Sequence, residues 1–388
     1  MSWPVAFAVG MFTAFFLLFF FDLRLWRAAR VRSEGGPFGN AAARRLSMGP
    51  YVVAVGGGTG LSTLLKGLKK FTRNITAVVA VTDEGGSSGR LRTEWGVLPP
   101  GDVRNCIVAL AEHDNELKRL LDFRFDRGEL AGHSLGNLLL LAVSELCGDF
   151  SVAVEQMNHL LAIRGKVLPV TTETITLAGT AGNRTVRGEL EISRNGRLLE
   201  GIWLEPEGAR PLPEVLQAVE EAGLIVLGPG SLFTSVIPNL LLPDFARALR
   251  EAPAPKVYVC NLMTQPEETE GMDVVRHVEW VSAALGKVPD YVVVNSASIP
   301  DAFAVRYRLQ GAEALLLDAR RKKKLERLGC TILELPMLSV PDAEAEAGNG
   351  NAVLRHDSAK LAERIFRLCR DLEEGPKRRI YPGAERRV

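Results

Sequence analysis

Tyr51-Val-Val-Ala-Val-Gly56-Gly57-Gly58-Thr59-Gly60-Leu61-Ser62-Thr63-Leu64-Leu65-Lys66-Gly67 runs apolar, breaks into glycine and resumes with leucines at helical spacing. Strand, tight turn, helix is the order in which phosphate-binding loops begin. Residues without a Cβ turn sharply at a strand end and let backbone N–H groups approach an anion, while the N-terminus of the next helix adds partial positive charge. The loop follows neither familiar pattern. Leu61 stands where the dinucleotide pattern G-x-G-x-x-G needs its last glycine, and no Gly-Lys-Ser/Thr follows at P-loop spacing. Read alone, the loop is either a phosphate cradle or a plain strand-to-helix turn.

Around it the same arrangement recurs. Apolar runs at Val52 to Val55, Ile75 to Val81, Leu224 to Leu227, Val257 to Val259 and Tyr291 to Val294 each end in small and polar residues, and most lead into a helical pattern. Continuous rather than alternating apolar runs suit strands buried on both faces, so the expected fold is α/β: a Rossmann-like, mainly parallel sheet with helices on both faces. Ligands of such sheets bind beyond the carboxyl ends of the strands. Gathered there are Gly56 to Thr59, Thr82 to Arg90, Gly228 to Ser235, Asn261 to Thr269, and Asn295 with Ser296. Between about 170 and 205 the pattern changes to short alternating runs, with Asn195-Gly196 as a hairpin signal, so an antiparallel insertion is expected. Asn105 to Gly165 reads as mostly helical, and its Leu138 to Leu146 stretch as core.

The chain has 388 residues, 47% of them hydrophobic, enough to bury a large core. A formal net charge of +1 makes no case for nucleic acid. Five scattered cysteines, without a C-x-x-C pair or histidines at zinc spacing, encode neither a disulfide frame nor a structural zinc site. The N-terminus differs in kind. No charge occurs from Trp3 to Phe21, and Arg24, Arg27, Arg30 and Arg32 follow. A run of about 18 such residues spans a hydrocarbon core, and the arginines place the rest of the chain in the cytoplasm. A cleaved signal peptide competes with this reading, but no basic segment precedes the run and no small-x-small site follows it. The expected order is therefore one transmembrane helix in 1–23, a basic linker in 24–49, a nucleotide-binding domain in 50–340, a loop and helix in 341–373 and a basic tail in 374–388. The expected location is the cell membrane, single pass, with the main domain cytoplasmic.

Asp83 and Glu84 end the second strand, where an acidic residue holds a ribose hydroxyl or a divalent ion, or simply caps a helix. Asp102 admits the same two readings. Arg90 and Arg92 are either phosphate contacts or solvated surface charges. The segment Gly228-Pro229-Gly230-Ser231 is the stronger partner for the first loop: Gly228, Gly230 and Ser231, with Thr234 and Ser235, are read as a second phosphate site at a helix start. His133 is a helix cap, a core hydrogen bond or a catalytic base. Glu267 and Glu268 are a solvated turn, or else contact a metal or a sugar hydroxyl.

Taken together, Gly56-Gly-Gly-Thr-Gly60, Asp83-Glu-Gly-Gly-Ser-Ser-Gly-Arg90, Gly101-Asp-Val-Arg-Asn105, Gly132-His-Ser-Leu-Gly-Asn137, Gly228-Pro-Gly-Ser-Leu-Phe-Thr-Ser235 with Ile237-Pro-Asn239, and Asn261-Leu-Met-Thr-Gln265 resemble the YvcK-type gluconeogenesis factors. These are similar to the 2-phospho-L-lactate transferase CofD and share its superfamily. The resemblance covers about 51 to 372. It implies a regulator that binds a UDP-sugar such as UDP-N-acetylglucosamine and is needed for cell shape and wall synthesis under gluconeogenic growth. Cell-wall synthesis proteins and a second copy of the chain, as a homo-oligomer, are the expected protein partners. The nucleotide-binding residues it implies are Gly56, Gly57, Gly58, Thr59, Gly60, Asn137, Gly228, Gly230, Ser231 and Thr234. Tyr307 and Arg355 join them, lying where the YvcK branch places uridine and diphosphate contacts. The alternative is a phospholactyl transferase using a guanine-nucleotide carrier, with Asp83 and Asp102 as catalytic candidates and Mg²⁺ held at Asp83.

Overall fold

Seven strands make one parallel sheet in the order β3-β2-β1-β7-β8-β9-β10: β1 (Val52–Gly56), β2 (Ile75–Val79), β3 (Lys166–Pro169), β7 (Leu224–Leu227), β8 (Lys256–Val259), β9 (Tyr291–Asn295) and β10 (Thr331–Leu335). The computed structural model describes residues 46–112, 116–339 and 353–374. Every residue of β1, β7 and β8 is buried, so both faces of the central sheet are covered, which accounts for the unbroken apolar runs. In β1, Gly56 stands beside Val79 on one side, and Val55 beside Leu227 on the other. Strand order runs away from β1 in both directions, so the gap between the carboxyl ends of β1 and β7 is the topological switch point.

Two sheet strands have no counterpart among the expected runs. β3 is four residues long and begins with an exposed lysine, and β10 is an edge strand with no fully buried residue, so neither shows a continuous apolar run. Helix α1 (Gly58–Leu68) leaves β1 and buries Leu61, Leu64, Leu65 and Leu68, one face at i, i+3, i+4, i+7 spacing. It packs on α3 (Gly101–Leu110) and on α6 (Ser358–Glu374), where the rings of Phe71 and Phe366 stack 5.1 Å apart. Helix α2 (Gly86–Trp95) follows the acidic loop after β2.

The insertion is a three-stranded antiparallel sheet of β5 (Arg184–Arg187), β4 (Thr176–Ala181) and β6 (Leu199–Glu205). Its hairpin turn is Gly182-Asn183 and not Asn195-Gly196. After β5 the chain turns at Gly188 (φ +91) into helix α5 (Glu189–Asn195), and Gly196 starts a 3-10 turn. The alternation in Arg187 to Ile192 misleads because Glu189 begins the helix, its N–H donating to Glu84 Oε2 at 3.0 Å, while Ile192 turns into the core. Helix α4 (Leu135–Cys147) departs from the expectation in another way. Leu140 and Leu141 are core, but Ala142 and Leu146 face solvent. All five cysteines are free. The anticipated anchor, most of the linker, the loop 341–350 and nearly all of the tail lie outside the described residues. Among the described residues, no helix is long and apolar enough to cross a membrane.

Candidate functional site

The first loop opens the switch point. Gly57 precedes α1 with no side chain capping the helix, and the first turn holds no acidic residue. The Gly58 N–H donates to Asp102, whereas those of Thr59 and Gly60 meet no acceptor among the described residues. Two uncapped N–H groups at the start of an eleven-residue helix form an anion-accepting surface, and Thr59 is exposed beside them. Two glycines are required by the geometry. Gly58 has φ +62, which a β-branched residue adopts only under strain, and a Cβ on Gly60 would lie 2.5 Å from the Pro229 carbonyl oxygen.

Two carboxylates flank this loop. Asp83 Oδ1 accepts the Gly85 N–H at 2.8 Å, and Asp102 sits in the first turn of α3. Ser88 Oγ accepts the Gly101 N–H at 3.1 Å and ties the two segments together. Burial, and then the charge of Asp83, push the Asp102 carboxyl up to about 7, against the opposing effect of the Gly58 N–H. Glu189 of the insertion is also raised, by burial and by Asp83. It is clipped to the acidic loop reciprocally: Glu84 N–H donates to Glu189 Oε2 at 3.3 Å, the return partner of the Glu189 N–H bond. Among the described residues, no group of three His, Cys, Asp or Glu side chains is arranged to hold a metal.

The second loop is occupied from behind. The Gly228 N–H donates to the Val55 carbonyl at 2.8 Å, that of Gly230 to Asn261 Oδ1 at 3.3 Å, and Gln265 Nε2 donates to Ser231 Oγ at 2.8 Å. At the following helical turn, Glu268 accepts the N–H groups of Phe233 (2.9 Å) and Thr234. Of the donors expected there, the Gly228 and Gly230 N–H groups and the Ser231 hydroxyl are held by Val55, Asn261 and Gln265, and the helical turn that follows is held by Glu268, which the sequence leaves as a solvated turn or a metal or sugar contact. Glu268 is buried, and burial pushes its carboxyl up to about 7. Asn239 completes the brace, its Nδ2 donating to the carbonyls of Ser235 (2.8 Å) and Gly56 (3.3 Å).

Asn137 and His133 belong to a buried chain. Asn137 Nδ2 donates to Ser87 Oγ at 3.0 Å, and Ser87 meets His133 Nδ1 at 2.9 Å. Arg104 joins Asn137 Oδ1 (3.3 Å) to Asp122 (2.7 Å). Burial, with Arg90 next, holds His133 below its ordinary range. Arg90 donates to the Ala131 carbonyl, and Arg92 to that of Ile175, so both arginines hold loops. The structure brings Tyr307 and Arg355 together: Tyr307 Oη accepts the N–H of Leu354, the residue before Arg355, at 3.0 Å. Arg355 is exposed, pairs with Ser339, and precedes His356, whose Nε2 meets the Cys260 carbonyl at the end of β8. Tyr307 therefore stands on the carboxyl side of the sheet, in a small apolar cluster with Met263 and Leu354.

Strand order and the crevice at its reversal define a doubly wound α/β protein of the Rossmann type. Residues 52–338 match the family model described as 2-phospho-L-lactate transferase CofD, and the chain belongs to that family. A Deinococcus radiodurans relative is 46% identical over 345 residues, spanning 88% of this chain and 70% of its own. The Bacillus subtilis protein described as a gluconeogenesis factor is 40% identical over 83% of this chain and 99% of its own. A crystal structure of a Bacillus halodurans protein superposes with a TM-score of 0.76 at 41% identity, covering 82% of this chain and 99% of that one.

Proposed function

We propose that the protein is a nucleotide-sugar-binding regulator: it takes a UDP-sugar of the UDP-N-acetylglucosamine kind and supports cell shape and wall synthesis during gluconeogenic growth. The observation that carries the reading is the uncapped start of α1 at the switch point, where Thr59 and Gly60 offer N–H groups to a diphosphate. Tyr307 supplies an aromatic face for a base, and Arg355 an exposed cation for phosphate. The relatives described as gluconeogenesis factors support the biological setting.

A second reading has its own observation. Asp83 and Asp102 repel one another beside the same loop, and a hard divalent cation shared with ligand phosphates would relieve that repulsion. Two carboxylates fit Mg²⁺ held in this way, and the ion would neutralise phosphate charge in a CofD-like phospholactyl transfer. Calorimetry with UDP-N-acetylglucosamine, GDP and GTP, with and without Mg²⁺, separates the readings. Tight, metal-independent UDP-sugar binding without turnover supports the regulator. Binding confined to guanine nucleotides plus Mg²⁺ overturns it in favour of the transferase.

A further inference from the structure

Beside the edge strand β10 lies the helix Ala319–Leu328, Ala-Arg-Arg-Lys-Lys-Lys-Leu-Glu-Arg-Leu, with six basic residues and one acidic. It stands out in a chain whose formal net charge is +1. Its charges are not equivalent. Arg321 pairs with Asp273 (3.1 Å) and Asp318 (3.3 Å), and Lys322 with Glu334 (2.6 Å). These two flanks are neutralised by the domain itself. Among the described residues, the side chains of Arg320, Lys323 and Arg327 make no hydrogen bond or ion pair and are exposed, while Lys324, also exposed, has only a charge interaction with Asp273. At 3.6 residues per turn these four fall within about 100° of arc. They lie opposite Leu325, the one buried residue of the helix. The crest is therefore cationic and unpartnered, between flanks that are already paired.

We propose that this crest, Arg320, Lys323, Lys324 and Arg327, is a docking surface for an anionic lipid surface. Charge complementarity selects an anionic partner, since clustered lysines and arginines at a surface are attracted to acidic headgroups. Lipid is favoured over nucleic acid by two observations. The helix has no aromatic residue to stack on a base. The same chain also carries the uncharged run Trp3 to Phe21 followed by four arginines, a composition that partitions into lipid. A chain that works beside a lipid surface gains from even a weak second contact, because tethering raises its effective concentration.

The test uses residues 46–388, which include the whole family match at 52–338 and the compact unit Pro50–Val388. Sedimentation with vesicles of phosphatidylcholine, alone or mixed with phosphatidylglycerol, reads the contact. Binding is expected only to the mixed vesicles, falling with added salt, and weakening about fivefold for each crest charge removed. Arg320→Gln with Lys323→Gln and Arg327→Gln then loses about a hundredfold. Lys322→Gln, whose charge is already paired, changes binding less than about twofold. Thermal unfolding of each variant verifies that the fold is kept. Equal binding to phosphatidylcholine alone, indifference to the triple substitution, or tighter binding to a DNA duplex at the same salt would each overturn the proposal.

Discussion

The two glycine loops at the switch point look alike in sequence and do opposite things. Gly56 to Gly60 enters a helix with no side-chain cap, and beyond the Gly58 N–H held by Asp102 the N–H groups of Thr59 and Gly60 have no acceptor among the described residues. Gly228 to Ser231 leads into a turn whose N–H groups are taken by Glu268, and Asn261 and Gln265 hold it from behind. The first loop keeps two N–H donors free at its helix start, while the turn after the second has two of its N–H donors engaged by an internal carboxyl group. Strand-loop-helix spacing therefore marks the position of the candidate site but not which loop keeps its N–H donors free. That choice is made by a carboxylate from a third segment.

The largest break in this comparison comes where the loops touch. Gly60→Val drives a side chain into the Pro229 backbone, and we expect a loss of about 3 kcal/mol in urea unfolding together with loss of ligand binding. Gly56→Ala meets nothing nearer than 3.7 Å and should cost less than about 1 kcal/mol. Glu268→Ala strands two buried N–H groups, for an expected loss of about 2 kcal/mol and a looser second loop.

Glu268→Gln keeps an acceptor and alters the pH profile instead. The folded-state value of Glu268 is raised from 4.5 to about 7, so the folded protein holds more protons than the unfolded chain across that window. The stabilisation is full below about pH 4.5 and is lost as pH rises through about 7. Unfolding midpoints measured across that window should decline in the parent and decline less steeply in Glu268→Gln, where Asp102, also raised to about 7, still contributes. A parallel decline in both proteins removes Glu268 from the account. Asn239→Leu removes a donor from the Ser235 carbonyl and the weaker of two from the Gly56 carbonyl, which keeps the Ala80 N–H, and a loss of about 1 kcal/mol in the same unfolding assay is expected. The smallest effect is a gain. Glu267 holds φ +63, so Glu267→Gly should raise stability by roughly 0.5 to 1 kcal/mol in thermal unfolding.

The sheet was legible because five of its strands are buried on both faces and announce themselves as apolar runs. β3 and β10 were not, being short or at the edge. Asn195-Gly196 reads as a hairpin because local turn chemistry cannot register the bond from a distant Glu84 that starts a helix at Glu189. The position of the candidate site, at the carboxyl ends of β1 and β7, was legible from the runs that end in the two glycine loops. The roles of Glu189 and Glu268 were not, since their partners lie 105 and 35 residues away. The one available signal for Glu268 was its place shortly after the Asn261 to Gln265 motif, at the mouth of the next strand in the sheet.

Amide spectra recorded during titration with UDP-N-acetylglucosamine test the open and closed loops most directly. The account predicts that the Thr59 and Gly60 amides move on binding while those of Phe233 and Thr234, held by Glu268, stay in place. Movement of Phe233 and Thr234 with Thr59 and Gly60 unaffected would contradict it.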